Sequence, residues 1–304
     1  MRTDLPPQEL RIAFNAGLDL ATSLAPLGRW GDDGIDRFDG ERLARTARPS
    51  GGVVPYSAAI SSDGDAPRLR VALRAEHWLQ AAEVEEEVQR TFVDPPDSLK
   101  ELAESDAEVG RLLRRYPGIR PVLFPDPLAA LIRSISAQQV NLRWAATVRR
   151  RLAERYGRRH EVGQSYVYSL EPVALARASV DDLRKLQLTT AKARSVIAVG
   201  TAAAAGELVR HQLEILDDDA LIAHLTSLRG IGRWSAEWFL ARTLGRPRVV
   251  AGDLGVRKAV GRMYRTSALP KEDEVRRLTA HWGTAASHVQ ALALHDLAGT
   301  PPAA

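Results

Sequence analysis

A single carboxylate lies among basic residues in the C-terminal half of the chain. Residues 226–265 contain nine Arg or Lys and two acids, Glu237 and Asp253. Asp253 comes just before a helical pattern that runs to Tyr264, which is the position of an N-cap, and capping alone contributes about 1 kcal/mol. Nearby cations and helix amides also favour its ionised form. A carboxylate in this state can stabilise a positive charge that develops during a reaction, or can orient a water molecule.

A glycine-containing turn precedes this carboxylate. Asp217 begins a helical pattern that should stop near Leu228, and a second helix should begin at Arg233. Gly230 and Gly232 are free to adopt positive φ, and the unpaired amides of the second helix can hold a phosphate. By itself such a turn is an ordinary connection between helices, but the basic excess favours a DNA backbone, held without reading its sequence. The predicted DNA contacts are Arg229, Gly230, Ile231, Gly232 and Arg233.

Two further features have an ordinary structural interpretation when taken alone. Trp234 and Trp238 are four residues apart and share one face of the second helix, where such a pair is usually part of a core. Gln138 and Gln139 interrupt a helical pattern that opens at Asp126 with a cap residue followed by proline, and they predict a polar turn.

Two stretches together resemble the helix-hairpin-helix DNA glycosylase superfamily, and within it the AlkA-like 3-methyladenine DNA glycosylase II branch. One reads LRGIGRWSAEWFLARTLG followed by VVAGDLGVRKAVG, and the other reads DPLAALIRSISAQQVNLRWAATVRRRLAERYG. The resemblance covers residues 126–264. It implies an enzyme that flips a damaged nucleotide out of the duplex and hydrolyses its N-glycosidic bond in base excision repair.

The resemblance also implies roles for individual residues. Asp253 matches the catalytic aspartate, and Trp234 and Trp238 would line the base pocket, where indole faces attract cationic alkylated purines. Gln139 would fill the gap left in the base stack. Trp234 occupies the position of a lysine nucleophile in relatives that cut the backbone, which implies a monofunctional glycosylase. A second tryptophan, expected shortly after Trp282, is absent, so we expect a wider or differently specific pocket.

The family's hairpin further implies a monovalent cation, Na⁺ or K⁺, bound by the backbone carbonyls of Thr226, Leu228 and Ile231, with no cofactor required for the reaction. The expected partner is damaged double-stranded DNA, and the expected state is a monomer. Two alternatives stay open from the sequence. One is a glycosylase for oxidised or deaminated bases, and the other is a non-catalytic helix-hairpin-helix DNA-binding protein.

The elements that must position these residues predict an α+β fold. Residues 1–95 have β-compatible runs at 12–14, 18–20, 53–60 and 69–73, followed by a charged helix over 77–92 with Leu79, Val84, Val88 and Phe92 directed at the sheet. This order resembles the family's N-terminal subdomain, a small antiparallel sheet with a helix. Two prolines after Asp94 mark the boundary. Residues 96–304 are expected to be an all-α helix-hairpin-helix glycosylase region, starting with one helix over 98–113.

Composition restricts the function further. The chain has 304 residues, 45% of them hydrophobic, and no cysteine, which excludes disulfides, thiolate zinc sites and the iron-sulfur cluster of some relatives. Residues 76–108 contain eleven acids and two bases, so DNA should meet the basic C-terminal half instead. Neither a signal peptide nor a membrane span is predicted, and we expect a cytoplasmic, nucleoid-associated protein.

Overall fold

The N-terminal part of the chain forms an antiparallel sheet, as predicted. The computed structural model describes residues 8–14, 17–49, 52–61, 67–73 and 78–299. Five strands pair in the order β1-β5-β4-β3-β2. They are β1 Gln8–Ala13, β2 Arg37–Phe38, β3 Arg42–Ala47, β4 Val54–Ser61 and β5 Arg68–Leu73. In β5 the buried residues Leu69, Val71 and Leu73 alternate with exposed Arg70 and Ala72, so one face of the sheet is in the core.

Two helices accompany the sheet, and one of them was not predicted. Residues 18–20, interpreted as β-compatible, instead begin helix α1, Leu20–Arg29. The reason is local, because the Asp19 carboxylate accepts a hydrogen bond from the Thr22 amide at 2.9 Å and caps the helix. Helix α2, Trp78–Arg90, lies within the predicted range. Val84 and Val88 are buried as expected, whereas Leu79 is 49% exposed.

The rest of the chain is largely helical. The helices are α3 Ser98–Ser105, α4 Ala107–Arg115, α5 Pro127–Ala137, α6 Leu142–Tyr156, α7 Pro172–Ala176, α8 Val180–Lys185, α9 Thr190–Ala204, α10 Arg210–Glu214, α11 Asp218–Ser227, α12 Arg233–Arg242, α13 Leu254–Met263, α14 Glu272–Thr279 and α15 Ala286–Ala298, with a 3-10 helix at Ala280–Ala285. The single helix expected over 98–113 is two helices. Asp106 is extended and accepts hydrogen bonds from the amides of Glu108 and Val109, so it caps α4 and ends α3.

The expected all-α region needs one correction. A hairpin of two antiparallel strands, β6 Gly157–Val162 and β7 Ser165–Leu170, follows α6. Gly163, at φ 60°, supplies the left-handed residue of its turn. The Tyr168 amide donates to the Gly34 carbonyl at 2.8 Å, so the hairpin is held against the N-terminal part of the chain. The predicted α+β class is otherwise confirmed.

The apolar core has two parts. The first runs from Ile12 in β1 through α5, α6 and α9 to Leu240 in α12, and so joins the sheet to the helices. The second packs α3 and α4 against α13 and α15 around Trp282. The division of the chain after residue 95 therefore stays a prediction. Among the described residues, no helix is both long enough and apolar enough to cross a membrane.

Buried ion pairs connect the loop before β2 to the helices. Asp33 is 2% exposed, and one of its oxygens lies 2.8 Å from Arg133 of α5 and 2.8 Å from Arg149 of α6. Asp36 binds Arg133 at 2.6 Å and Arg45 of β3 at 2.5 Å. Burial raises the pKa of Asp33, but Arg133 and Arg149 outweigh this effect and hold its pKa well below the ordinary value.

At a second buried carboxyl group, Glu87 of α2, the effect of burial on the pKa outweighs that of the neighbouring cations. Its Oε1 atom is buried without a hydrogen-bond partner, as is the hydroxyl of Tyr56. Burial raises the pKa of Glu87 to about 7, although the guanidinium groups of Arg210 and Arg45 work against the shift. The folded protein therefore binds a proton at Glu87 more tightly than the unfolded chain does, and stability falls as pH rises from about 4.5 to about 7.

We therefore expect Glu87→Gln to stabilise the protein at pH 8, by at most about 3 kcal/mol, because a neutral amide removes the cost of a buried carboxylate. At pH 4.5 the gain should nearly vanish. Urea unfolding at the two pH values measures it. Glu86→Gln is the matched control, since Glu86 is 56% exposed on the same helix and pairs with Arg90. An equal gain at both pH values would contradict the assignment to Glu87.

Candidate active site

Only one of the two glycines in the turn between α11 and α12 has positive φ, because Gly232 has φ −96°. Helix α11 ends at Ser227 and α12 begins at Arg233, which confirms the predicted helix boundaries. The Ile231 amide donates to the Leu228 carbonyl at 3.1 Å, and Gly230 has φ 79°. A Cβ atom on Gly230 would lie 1.9 Å from the Ser195 hydroxyl of α9. Both the backbone conformation and the close approach of α9 therefore require glycine at this position.

The N-terminus of α12 is open. Gly232 is the N-cap residue, no side chain caps it, and a Cβ atom placed there would meet nothing within 4 Å. Arg229, Gly230, Gly232 and Arg233 are exposed, while Ile231 is buried and anchors the turn in the core. The predicted contacts are thus on one surface, with Ile231 available through its backbone alone. Uncapped amides at a helix N-terminus are suited to a phosphate.

Some of the predicted positive charge is neutralised inside the protein. Glu237 is 1% exposed and lies 3.0 Å from Arg233, 2.8 Å from Arg276 and 3.6 Å from Arg248. Arg246 and Arg248 also bind Asp218, at 2.6 Å and 2.7 Å. Asp218 lies outside residues 226–265, where the charges were counted. The basic excess available to a ligand is therefore smaller than the sequence indicated.

The turn between α5 and α6 lies beside this hairpin. The Gln138 side-chain amide donates to the Gly230 carbonyl at 3.1 Å, which brings the two turns to one surface. Gln139, the predicted wedge, is exposed and has φ 55°, so its backbone is in the left-handed region that few residues other than glycine adopt. Lys192 donates to the Ser136 carbonyl at 3.0 Å and so supports the end of α5.

Asp253 is the N-cap of α13. Its Oδ1 atom accepts a hydrogen bond from the Val256 amide at 3.0 Å, and its own amide donates to the Val250 carbonyl at 2.9 Å. The residue is half-buried. A capping bond to one oxygen fixes the carboxylate and leaves its second oxygen outside that bond, so the capping role is compatible with a chemical one.

The two predicted tryptophans lie near Asp253 and Phe124. A Cβ atom on Gly252, which precedes Asp253, would lie 3.7 Å from Cδ1 of Trp234. Trp238 stacks on Phe124 with ring centroids 5.5 Å apart and planes inclined by 26°. Both tryptophans are half-buried, so each combines packing with an accessible part. Phe124 was not predicted for this site, because no spacing along the sequence connects it to Trp238.

A cation, Arg242, was also missed. It lies one helical turn beyond Trp238, with its guanidinium carbon 5.4 Å from the Phe124 ring centroid, and its Nε atom is buried without a hydrogen-bond partner. Burial, together with the neighbouring charges of Arg133 and Arg45, lowers the pKa of Arg242 to about 10, although the carboxylate of Asp253 acts in the opposite direction. Arg242 is thus protonated at neutral pH and close enough to Asp253 to interact with its charge.

The residue of the 3-10 helix where the second tryptophan was expected, Ala285, is buried. Trp282 is 1% exposed and donates to the Tyr264 hydroxyl at 2.9 Å, and Ala285 is fully buried. A cavity of about 280 Å³ does lie nearby, but the predicted site residues do not line it. Its lining includes Asp218, Arg248, Arg276, Thr279, Gly283 and Ala286. A wider base pocket therefore stays a prediction.

We expect Gly230→Ala to destabilise the protein by about 2 kcal/mol or more, because alanine would have to adopt positive φ and displace Ser195. Gly232→Ala is the matched control, with ordinary φ and open space, and should change stability by about 1 kcal/mol or less. Thermal unfolding of the two variants measures the difference. Equal losses would show that contact with α9 does not constrain the turn.

Comparison with known proteins agrees with this arrangement. The sequence model of the HhH-GPD superfamily base excision DNA repair protein matches residues 132–284, which contain both turns, Trp234, Trp238 and Asp253. The chain is 27% identical over 184 residues to the DNA-3-methyladenine glycosylase of Bacillus subtilis strain 168. That alignment covers 60% of this chain and 61% of the relative, so the chain matches less than two thirds of the relative's length.

Solved structures share the fold over nearly the whole chain. The 3-methyladenine DNA-glycosylase of Archaeoglobus fulgidus superposes with a TM-score of 0.81 at 21% identity, covering 96% of this chain and 99% of that one. The 8-oxoguanine glycosylase/lyase of Clostridium acetobutylicum, in complex with DNA, has a TM-score of 0.69 at 16% identity, covering 94% and 97%. Since the family match alone spans half of the sequence, the chain belongs to the HhH-GPD superfamily of base excision DNA repair proteins.

Proposed function

We propose that this protein is a monofunctional DNA glycosylase that hydrolyses the N-glycosidic bond of flipped-out alkylated purines, of the 3-methyladenine and 7-methylguanine type, in base excision repair. The observation that carries the proposal is the position of Asp253, which is fixed by its cap bond to Val256 and lies directly after Gly252, beside Trp234. The name of the Bacillus subtilis relative supports the same reaction.

Duplex DNA binds across the two turns. The uncapped N-terminus of α12 receives a backbone phosphate, and Arg229 and Arg233 add positive charge from exposed positions. Gln139 enters the base stack from the adjoining turn and keeps the extruded nucleotide from returning. These contacts are to phosphates and to the stack, so binding is independent of sequence. We propose that the protein acts as a monomer, in the cytoplasm with the nucleoid.

The extruded base is received by the aromatic groups of α12. Trp238, backed by Phe124, offers an indole face, and Trp234 lies beside Gly252, the residue before Asp253. A purine alkylated at N3 or N7 is cationic, and an indole face attracts it by roughly 0.5–2 kcal/mol more than a neutral base. The positive charge also weakens the glycosidic bond, so the protein needs to supply little activation of the leaving group.

Asp253 acts at the sugar. As the bond from C1′ to the base nitrogen breaks, its electron pair leaves with the purine, and the sugar develops oxocarbenium character that the carboxylate stabilises. Water then adds to C1′ and loses a proton, which gives an abasic site and a free, neutral base. Because Trp234 occupies the position where strand-cutting relatives have lysine, no Schiff base forms and the DNA backbone stays intact.

One observation favours the alternative of oxidised or deaminated bases. Arg242 is a cation whose guanidinium carbon lies 5.4 Å from the Phe124 ring centroid, and its positive charge would favour a neutral base over a cationic one. A panel of duplexes that each contain one alkylated, oxidised or deaminated purine separates the two classes. A non-catalytic DNA-binding protein would release no base from any of them.

We also propose that the hairpin binds a monovalent cation through the carbonyls of Thr226, Leu228 and Ile231. Carbonyl oxygens suit such ions, and the Leu228 oxygen has a second lone pair beyond the one that the Ile231 amide uses. The cation would hold the turn for phosphate contact and would take no part in the chemistry. An anomalous peak at these carbonyls in a thallium-soaked crystal is expected, and a crystal without it would reject the site.

We expect Asp253→Asn to lower base release from alkylated duplex DNA by at least about 100-fold. Asparagine is an equally good N-cap, so the free energy of unfolding should be nearly unchanged, and the affinity for duplex DNA should stay within a few-fold of the wild type. The assay measures free methylated purines and then strand breaks, which should appear only after alkali.

Asp217→Asn is the control, because Asp217 caps α11 in the same way, accepting from the Ala220 amide at 2.8 Å, and should keep full activity. An active Asp253→Asn protein would remove the catalytic assignment. Strand breaks without alkali would contradict the monofunctional reaction. No release by the wild type across the whole lesion panel would leave the DNA-binding alternative.

A further inference from the structure

Three apolar side chains remain exposed directly after the predicted wedge. Val140, Leu142 and Trp144 are 37%, 42% and 36% exposed. Single exposed apolar residues are common on protein surfaces, but three within five residues, from the turn into the first turn of α6, are a local concentration of exposed apolar groups. We refer to Val140, Leu142 and Trp144 as the apolar flank. Patches of this kind mark places where a partner binds.

The apolar flank is held rigidly. The Asn141 side chain accepts a hydrogen bond from the Trp144 amide at 2.8 Å, so Trp144 is fixed in the first turn of α6. The Arg151 guanidinium, two turns further along the helix, lies 5.3 Å from the Trp144 ring centroid and donates to Gln187 at 2.6 Å. One side of the indole is therefore occupied, and the exposed part is presented in a fixed orientation. An aromatic group ordered in advance loses little entropy on binding.

The partner of the flank follows from its surroundings. Gln138, one residue before the wedge, bonds to Gly230 of the hairpin, so the flank is continuous with the proposed DNA surface. Arg143, between Leu142 and Trp144, is also exposed and adds positive charge. Extrusion of a nucleotide leaves the opposite base without its partner and uncovers apolar surface in the stack. The flank is apolar and lies next to the residue that enters this gap.

We propose that Trp144 stacks on the base left unpaired opposite the extruded nucleotide. This inference rests on the proposed function, because it requires an extruded nucleotide. Gln139 then fills the gap that the extruded base leaves in the lesion strand, while Trp144 stacks on the unpaired base of the opposite strand. Both strands are therefore stabilised at the position of the lost base pair. Every base has a π face, so stacking provides affinity without selecting which base stands opposite the lesion.

The test uses duplexes that carry a tetrahydrofuran abasic analogue opposite each of the four bases, and a fully paired duplex. We expect Trp144→Ala to weaken binding to all four abasic duplexes by about tenfold or more, and to weaken binding to the paired duplex by about twofold or less. Trp144→Phe, which keeps a ring, should stay within about threefold of the wild type. Trp78→Ala, at a 79% exposed tryptophan on α2, is the matched control and should have no effect.

A second readout reports on the opposite base directly. 2-Aminopurine placed opposite the analogue should be quenched by the wild type and by Trp144→Phe, and should be brighter with Trp144→Ala. Equal weakening on paired and abasic duplexes, no weakening, or weakening confined to one opposite base would each overturn the proposal. The analogue has no base to release, so this outcome is separate from the base-release assay, whose failure would reject the proposed reaction instead.

Discussion

The buried carboxylates of Asp33 and Asp36 are the constraint on which the arrangement of the site depends. Together they bind Arg133 of α5 and Arg149 of α6, and these two helices flank the turn that carries Gln139. Arg149 also donates to the Ser136 hydroxyl at the end of α5, which ties the acidic loop to that turn. Buried charges are costly unless they are fully paired, so the loop before β2 and the helices must fit together for either to be stable.

The same ion pairs extend to the side chains of the proposed base pocket. Arg133 lies 4.3 Å from the Phe124 ring centroid, and Phe124 in turn stacks on Trp238. The N-terminal part of the chain, in which the sequence revealed no chemistry, therefore supports the wall against which a base would lie. On the other side of α12, the buried Glu237 binds Arg276 and Arg248, which fixes the helix to α14 and to the segment that leads to Asp253. The helix with both tryptophans is thus held by ring stacking through Trp238 and by ion pairs through Glu237.

The sequence predicts those parts of the fold that are determined locally. Gly230, and the carboxylate caps at Asp217 and Asp253, act within four residues, so their pattern was sufficient to predict the hairpin and the start of α13. Tertiary packing between distant parts of the chain brings together Phe124, Arg242 and the partners of Glu237. The periodicity of the sequence does not indicate such contacts. For the same reason the sequence did not predict the two strands at residues 157–170. These strands are stabilised by pairing with each other and by contact with the N-terminal sheet.

The charges around Asp253 bear on which base the site accepts. In the proposed reaction a cationic purine would gain from the indole face of Trp238 and from the carboxylate, whereas the positive charge of Arg242, 5.4 Å from the Phe124 ring centroid, would oppose it. Because opposite charges close together largely cancel at a distance, the field at the pocket depends on how near the base lies to each group. We infer that both the charges and the ring packing around Phe124 and Trp238 bear on which purine the proposed site would accept. Arg133, held by Asp33 and Asp36, lies against the Phe124 ring, so the N-terminal part of the chain contributes to this wall of the proposed site.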